Sequence, residues 1–203
     1  FKQKTAYEIS LGLVGSEMCI RDRASPMVWR GPMVTQALEQ LLKNTEWDDI
    51  DYMIIDLPPG TGDTQLTLSQ KIPVSGAVII TTPQDIALID AQKGLAMFEK
   101  VNIPILGIVE NMSIHICSNC DHAEEIFGHG GGKLMAQNSN TNFLGALPLQ
   151  IDIRTDVDEG IPSVARDPDS RVAMMYQEIG RRVAATLSLQ SESVGAFPKI
   201  TIE

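Results

Sequence analysis

The chain has 203 residues, 43% of them hydrophobic and 21% charged, the balance of a globular protein with one full core. Its formal net charge of −10 excludes a general nucleic-acid surface, which needs a basic face to displace counterions, and no run approaches the ~18 apolar residues of a membrane span. Three cysteines do not make a disulfide scaffold, which fits a reducing cytoplasmic or organelle-matrix setting.

Residues 1–23, FKQKTAYEISLGLVGSEMCIRDR, differ in character from the remainder of the chain. They carry net +1 against −11 for residues 24–203. Glu8, Gly12, Gly15 and Glu17 break up any apolar stretch, so the segment does not read as a signal peptide. The string resembles a translated sequencing-adapter read-through, and the absence of an initial Met fits a truncated reading frame. Residues 1–23 are therefore expected to be non-native, with a native extension as the alternative. Cys19 lies here and is left out of the chemistry.

From Ala24 onward helix and strand signals alternate. Apolar positions 34, 37, 38, 41 and 42 give 33–43 a helical stripe. Tyr52–Asp56 is predicted as a short buried strand and 63–70 as a helix. GAVIIT at 76–81 is a second buried strand. A helix start comes next, with Thr82 as N-cap, Pro83 at the first helical position and Asp85 three residues after the cap. IPILGIV at 103–109 and 143–147 complete the strands. A helix over 169–187 has Val172, Met175, Ile179 and Val183 on its apolar stripe, and 191–203 reads as a tail. Strands apolar on both faces, alternating with helices, predict an α/β fold with a parallel sheet covered on both sides.

In such a sheet ligands collect beyond the carboxyl ends of the strands. Asp56 stands at one such end, in IIDLPPGTGD. The amides of Gly60, Thr61 and Gly62 can approach an oxyanion closely, because glycine carries no Cβ. A bare D-x-P-P-G is equally compatible with a plain strand-to-helix turn.

IIDLPPGTGD, TTPQDIALID, GIVENMS, WRGPM at 29–33 and IFGHGGG at 126–132 together resemble the Mrp/ApbC family of iron–sulfur cluster carrier ATPases, relatives of the MinD and ParA ATPases. The likeness runs from Ala24 to the C-terminus. It implies a MinD/ParA-like P-loop NTPase fold, with residues 24–190 as the C-terminal part of the ATPase domain. It also implies an ATP-dependent carrier that transfers a cluster to apoproteins. By the same likeness Asp56 holds the magnesium ion of Mg-ATP through water, Gly60 senses the terminal phosphate, Gly62 lies beside it, and Asn111 faces the adenine. Taken alone, Asn111 reads better as a turn former at a strand end. A positioning ATPase acting on a membrane or nucleoid is the alternative, but it leaves the cysteine pair unused. Its basic or membrane-seeking helix is also not evident, since 169–187 balances Arg171, Arg181 and Arg182 against Asp169 and Glu178.

Members of that family carry a glycine-rich loop ending in GK-[ST]. The GK at Gly132–Lys133 in FGHGGGKL fails as such a loop. Phe127 stands where its first glycine belongs, Leu134 replaces Ser/Thr, and no strand is expected before it. A flexible turn is the simpler expectation. The chain is thus expected to lack the first strand and P-loop of the fold. Phosphate-loop hydrogen bonds are worth roughly 1.5–3 kcal/mol each, so losing three costs about three to six decades of affinity.

Cys117 and Cys120 form a C-x-x-C in SIHICSNCDHAEE. Two thiolates can share one metal centre from a tight turn, but they are half of a four-cysteine shell. A two-fold dimer would supply the other pair. In the family this pair is the cluster-bridging site, which implies a [4Fe-4S] cluster shared across a homodimer. The rival is a zinc-binding module in which His115 and His122 join the cysteines within one chain. His129 reads as a solvated loop residue.

Overall fold

A computed structural model describes residues 44–45, 47, 49–57, 73–117, 119–120 and 122–191. The chain forms two compact units, 1–73 and 74–203. The expectations for 1–23, for helices at 33–43 and 63–70, for Gly60 and Gly62, and for the tail beyond Ser191 fall outside the described residues.

In the first unit the expected strand at Tyr52–Asp56 does not form. Residues 52–57 carry no strand hydrogen bonding, and Tyr52 and Ile54 are 59% and 84% exposed. An apolar run becomes a buried strand only where neighbours complete its ladder and cover its faces. Among the described residues no strand pairs with it.

The second unit is a three-stranded parallel sheet in the order β1 (Ala77–Thr81), β2 (Ile105–Glu110), β5 (Phe143–Ala146). Helix α1 (Asp85–Lys100) connects β1 to β2, as a parallel pair requires. A short antiparallel hairpin, β3 (His115–Ile116) with β4 (Ala123–Glu124), and helix α2 (Gly131–Asn138) lie between β2 and β5. Helices α3 (Ile151–Asp158), α4 (Ser163–Arg166) and α5 (Arg171–Ser191) close the described chain.

The alternation of β2 builds both cores. Ile108 joins Ile79, Leu95, Met135 and Ala136 under α1 and α2. Its neighbour Val109 points the other way and joins Leu144 and Leu147 against Met175, Tyr176, Ile179 and Val183 of α5. Three of the four residues of the stripe expected on the last helix are in that contact, and the helix runs on past Leu187 to Ser191. The α/β parallel sheet with helices on both faces is as expected from the sequence.

Helix boundaries depart from expectation in physically readable ways. The N-cap of α1 is Gln84, not Thr82, and the helix begins at Asp85. The Thr82 hydroxyl instead donates to Gln84 Oε1 at 3.2 Å, so the ring of Pro83 stays outside the helix. The ends of α1, α2 and α3 share one device. Asn102, Asn140 and Gly160 adopt left-handed φ values of 57°, 49° and 76°. Each is followed by an amide that reaches back into the last turn, as Ile103 does to the Phe98 carbonyl at 3.0 Å. These caps turn the chain from α1 into β2 and from α2 towards β5.

Candidate metal centre at the carboxyl end of the sheet

Beyond Glu110 the chain does not leave the sheet cleanly. Its carbonyl accepts from Leu147 N–H at 2.8 Å, Ser113 N–H donates to the Leu147 carbonyl at 2.9 Å, and Leu149 N–H donates to the Ile114 carbonyl at 2.8 Å. Residues 110–115 therefore run on as an irregular extension of β2 beside the extension of β5. Met112, at φ 55°, marks the irregularity. This extension carries the β3–β4 hairpin, and the cysteine pair is its tip.

Cys117 continues β3, and its N–H donates to the His122 carbonyl at 2.9 Å, the last rung before the loop. Asn119 and Cys120 form the turn. Cys117 is half-buried and Cys120 exposed, and neither is in a disulfide. Backbone N–H groups of Asn119 and Cys120, with the Cys120 thiol, hold the Cys117 thiol below its ordinary range. Burial and the Glu124 carboxylate push more weakly the other way. A thiol poised towards thiolate, beside a second thiol, is what a soft metal centre takes.

The histidines do not complete a site around it. His115 Nδ1 is 3.1 Å from the Leu149 carbonyl, which can only accept, so the ring carries its proton there. His122 pairs with Glu124 at 3.7 Å and His129 with Glu125 at 2.7 Å. Among the described residues no group of three or more His, Cys, Asp or Glu side chains is placed to hold a metal ion. Among the described residues the two cysteines and the two flanking histidines are not gathered into a four-ligand arrangement.

Asn111 sits where its strand-end position suggested, with its N–H on the Thr81 carbonyl at 2.7 Å. Its Oδ1 accepts from Met112 N–H at 2.9 Å, so it acts locally as a turn former at the carboxyl ends of β1 and β2. Asp56, in the other unit, is an exposed carboxylate.

The glycine run before Lys133 is not a turn. Gly130, at φ 66°, caps α2, which starts at Gly131. A Cβ on Gly131 would lie 2.6 Å from Leu88 Cδ1, and one on Gly132 would lie 3.0 Å from Glu110 Cβ. The Gly132 N–H, which a phosphate would need, donates to Glu110 Oε2 at 2.6 Å. The failed nucleotide loop is a helix start docked on the sheet. Glu110, only 4% exposed, is a residue that the sequence did not single out. Its signal was an acid ending a buried strand, which must find a partner.

The ParA family model described as the NUBPL iron-transfer P-loop NTPase matches residues 5–184. The iron–sulfur cluster carrier protein of Salmonella typhimurium is 58% identical over 168 residues, covering 83% of this chain and 46% of that protein. The chain spans about half the length of the curated relatives it matches. Among solved structures, the nucleotide-binding protein of Archaeoglobus fulgidus in complex with ADP is similar with a TM-score of 0.56 and 35% identity, covering 63% of this chain and 52% of that one. The cell division ATPase MinD of Pyrococcus furiosus shares the fold at a TM-score of 0.54 and 21% identity, covering 77% of this chain and 59% of its own.

The hydrogen bonds to Cys117 give a pH test. In the metal-free protein, alkylation of Cys117 followed by peptide mass spectrometry should show a midpoint below that of a free cysteine peptide alkylated under the same conditions. Cys120→Ser, which replaces the thiol donor, should shift that midpoint. A wild-type midpoint at or above the free-thiol value contradicts the assigned hydrogen bonds.

Proposed function

The chain belongs to the ParA family of NUBPL iron-transfer P-loop NTPases, and from that membership we propose that it is part of an ATP-dependent carrier that holds an iron–sulfur cluster on Cys117 and Cys120 and passes it to apoproteins. The observation that carries the reading is the placement of the pair. It lies at the half-exposed tip of a hairpin bonded to the extensions of two core strands, with one thiol already lowered. An exposed tip on a rigid base lets a cargo be reached by a client while its ligands stay in register.

Two thiolates leave half of a four-cysteine shell open, so the proposed carrier is a homodimer with a [4Fe-4S] cluster between two hairpins. Its cytoplasmic placement follows from cysteines used as ligands, which need a reducing compartment. No helix among the described residues is long and apolar enough to cross a membrane, and the net charge of −10 gives no support to nucleic-acid binding.

For the nucleotide, the proposed roles are Asp56 towards the hydrated magnesium, Gly60 and Gly62 towards the terminal phosphate, and Asn111 towards the base. The observations in support are the exposed Asp56 carboxylate and the position of Asn111 at the carboxyl ends of two parallel strands, where ligands of open α/β sheets bind. In the full-length carrier, Mg-ATP would supply a switch between cluster-holding and cluster-releasing states. These 203 residues contain no GK-[ST] loop, so the chain by itself is proposed not to hydrolyse ATP.

Anaerobic reconstitution with iron and sulfide should turn the protein brown. Cys117→Ser or Cys120→Ser should abolish the colour, and His115→Ala or His122→Ala should leave it. A colourless, zinc-loaded protein sensitive to both histidines would contradict the reading. Isothermal titration of this 203-residue chain with Mg-ATP should give no measurable heat of binding. Micromolar affinity would overturn the claim that its phosphate grip is missing.

A further inference from the structure

Residues 111–131 form a long excursion from the sheet, and its two arms are held differently. The outgoing arm is laced to the β5 extension through Leu147 and Leu149, including Ser113 Oγ to the Leu147 carbonyl at 3.0 Å. The returning arm has no such lacing among the described residues. Apart from the pairing of β4 with β3, it is held at the start of α2, where Gly131 abuts Pro83 and Leu88 and Gly132 meets Glu110.

We infer that Glu110 is the positioning residue of the cysteine hairpin, a latch that joins the strand entering the excursion to the helix leaving it. Glu110 is buried, and its Oε2 accepts the Gly132 N–H at 2.6 Å. A carboxylate out of water is costly unless it is hydrogen-bonded. The start of a helix is its best partner, since unpaired amides and the helix dipole both favour negative charge. The contact is charge-assisted and short, the strong class of protein hydrogen bond.

Geometry narrows the role to this pair. A Cβ on Gly132 would stand 3.0 Å from Glu110 Cβ and 3.2 Å from Oε2, so any larger residue would have to push strand and helix apart by a few tenths of an ångström. The latch spans 22 residues of sequence and encloses both cysteines. It lies next to Asn111, whose own N–H is tied to β1 at Thr81. A displacement at the carboxyl end of β1 or β2 therefore reaches the cysteines from both arms at once. The latch stands on these contacts alone, and only its effect on a cluster rests on the proposed carrier function.

Hydrogen exchange on the full chain tests it. Loss of a charge-assisted hydrogen bond from a buried carboxylate corresponds to roughly ten- to hundredfold in a local opening equilibrium. Glu110→Ala should speed exchange within 111–131 by at least about tenfold and leave α1 and α5 unchanged. Glu110→Asp keeps the charge but loses reach, and should behave like the alanine variant. Glu110→Gln keeps reach and should recover part of the protection. Gly132→Ala should reproduce the alanine phenotype from the other side, and the double variant should be no worse than either single one. In reconstituted protein, Glu110→Ala should change the visible circular dichroism of the cluster and hasten its loss to a chelator. Unchanged exchange in 111–131, or equal loosening of the whole sheet, overturns the latch. If the wild type takes up no cluster, the carrier reading falls and the exchange pattern alone decides the latch.

Discussion

The structure depends on β2. It is paired on both edges, by β1 and β5, and buried on both faces, so its position is set by two ladders and two cores together. A strand held in this way cannot shift register without turning Ile108 out of one core and Val109 out of the other. Whatever leaves its carboxyl end starts from a fixed point. Glu110, Asn111 and the cysteine hairpin all do so, which is why a loop of this length can present two thiols in a defined arrangement.

The chemistry then depends on what lies near each group. Cys120 is open to solvent, and the Cys117 thiol is lowered by neighbouring amides against a weaker upward push from burial. Histidines that could have closed a metal site within the chain are turned to other partners, His115 to a backbone carbonyl and His122 to Glu124. Under the proposed carrier reading, two thiols on a hairpin tip would need a second pair to complete a four-cysteine shell, and the centre they held would stay open to exchange.

Much of this was legible in the sequence, for physical reasons. The strands β1, β2 and β5 are continuous apolar runs and the last helix has a clean stripe, so burial on one or two faces could be read directly. The cysteine pair was legible from its spacing, and its place after ENMS came from family resemblance. The start of α2 was not legible. GHGGG looks like a turn, and its glycines make sense only once Pro83, Leu88 and Glu110 are known to be within van der Waals reach. Glu110 was hidden for the same reason, since its partner lies far along the chain. Helix α3 was missed because eight residues with four charges show no stripe. The Asn102 and Asn140 caps were missed because asparagine signals a left-handed turn less plainly than glycine. Tyr52–Asp56 was misread in the opposite sense, because hydrophobic residues alone suggested a strand where no ladder partner is present among the described residues.

The central claim is that Cys117 and Cys120 are half of a cluster site completed by a second copy of the protein. Native mass spectrometry under anaerobic conditions, on protein reconstituted with iron and sulfide, tests it most directly. The account predicts that the cluster mass is carried by a species of two chains with one cluster, and that the cluster-free protein does not retain that species to the same extent. A cluster carried in full by a single chain would contradict it.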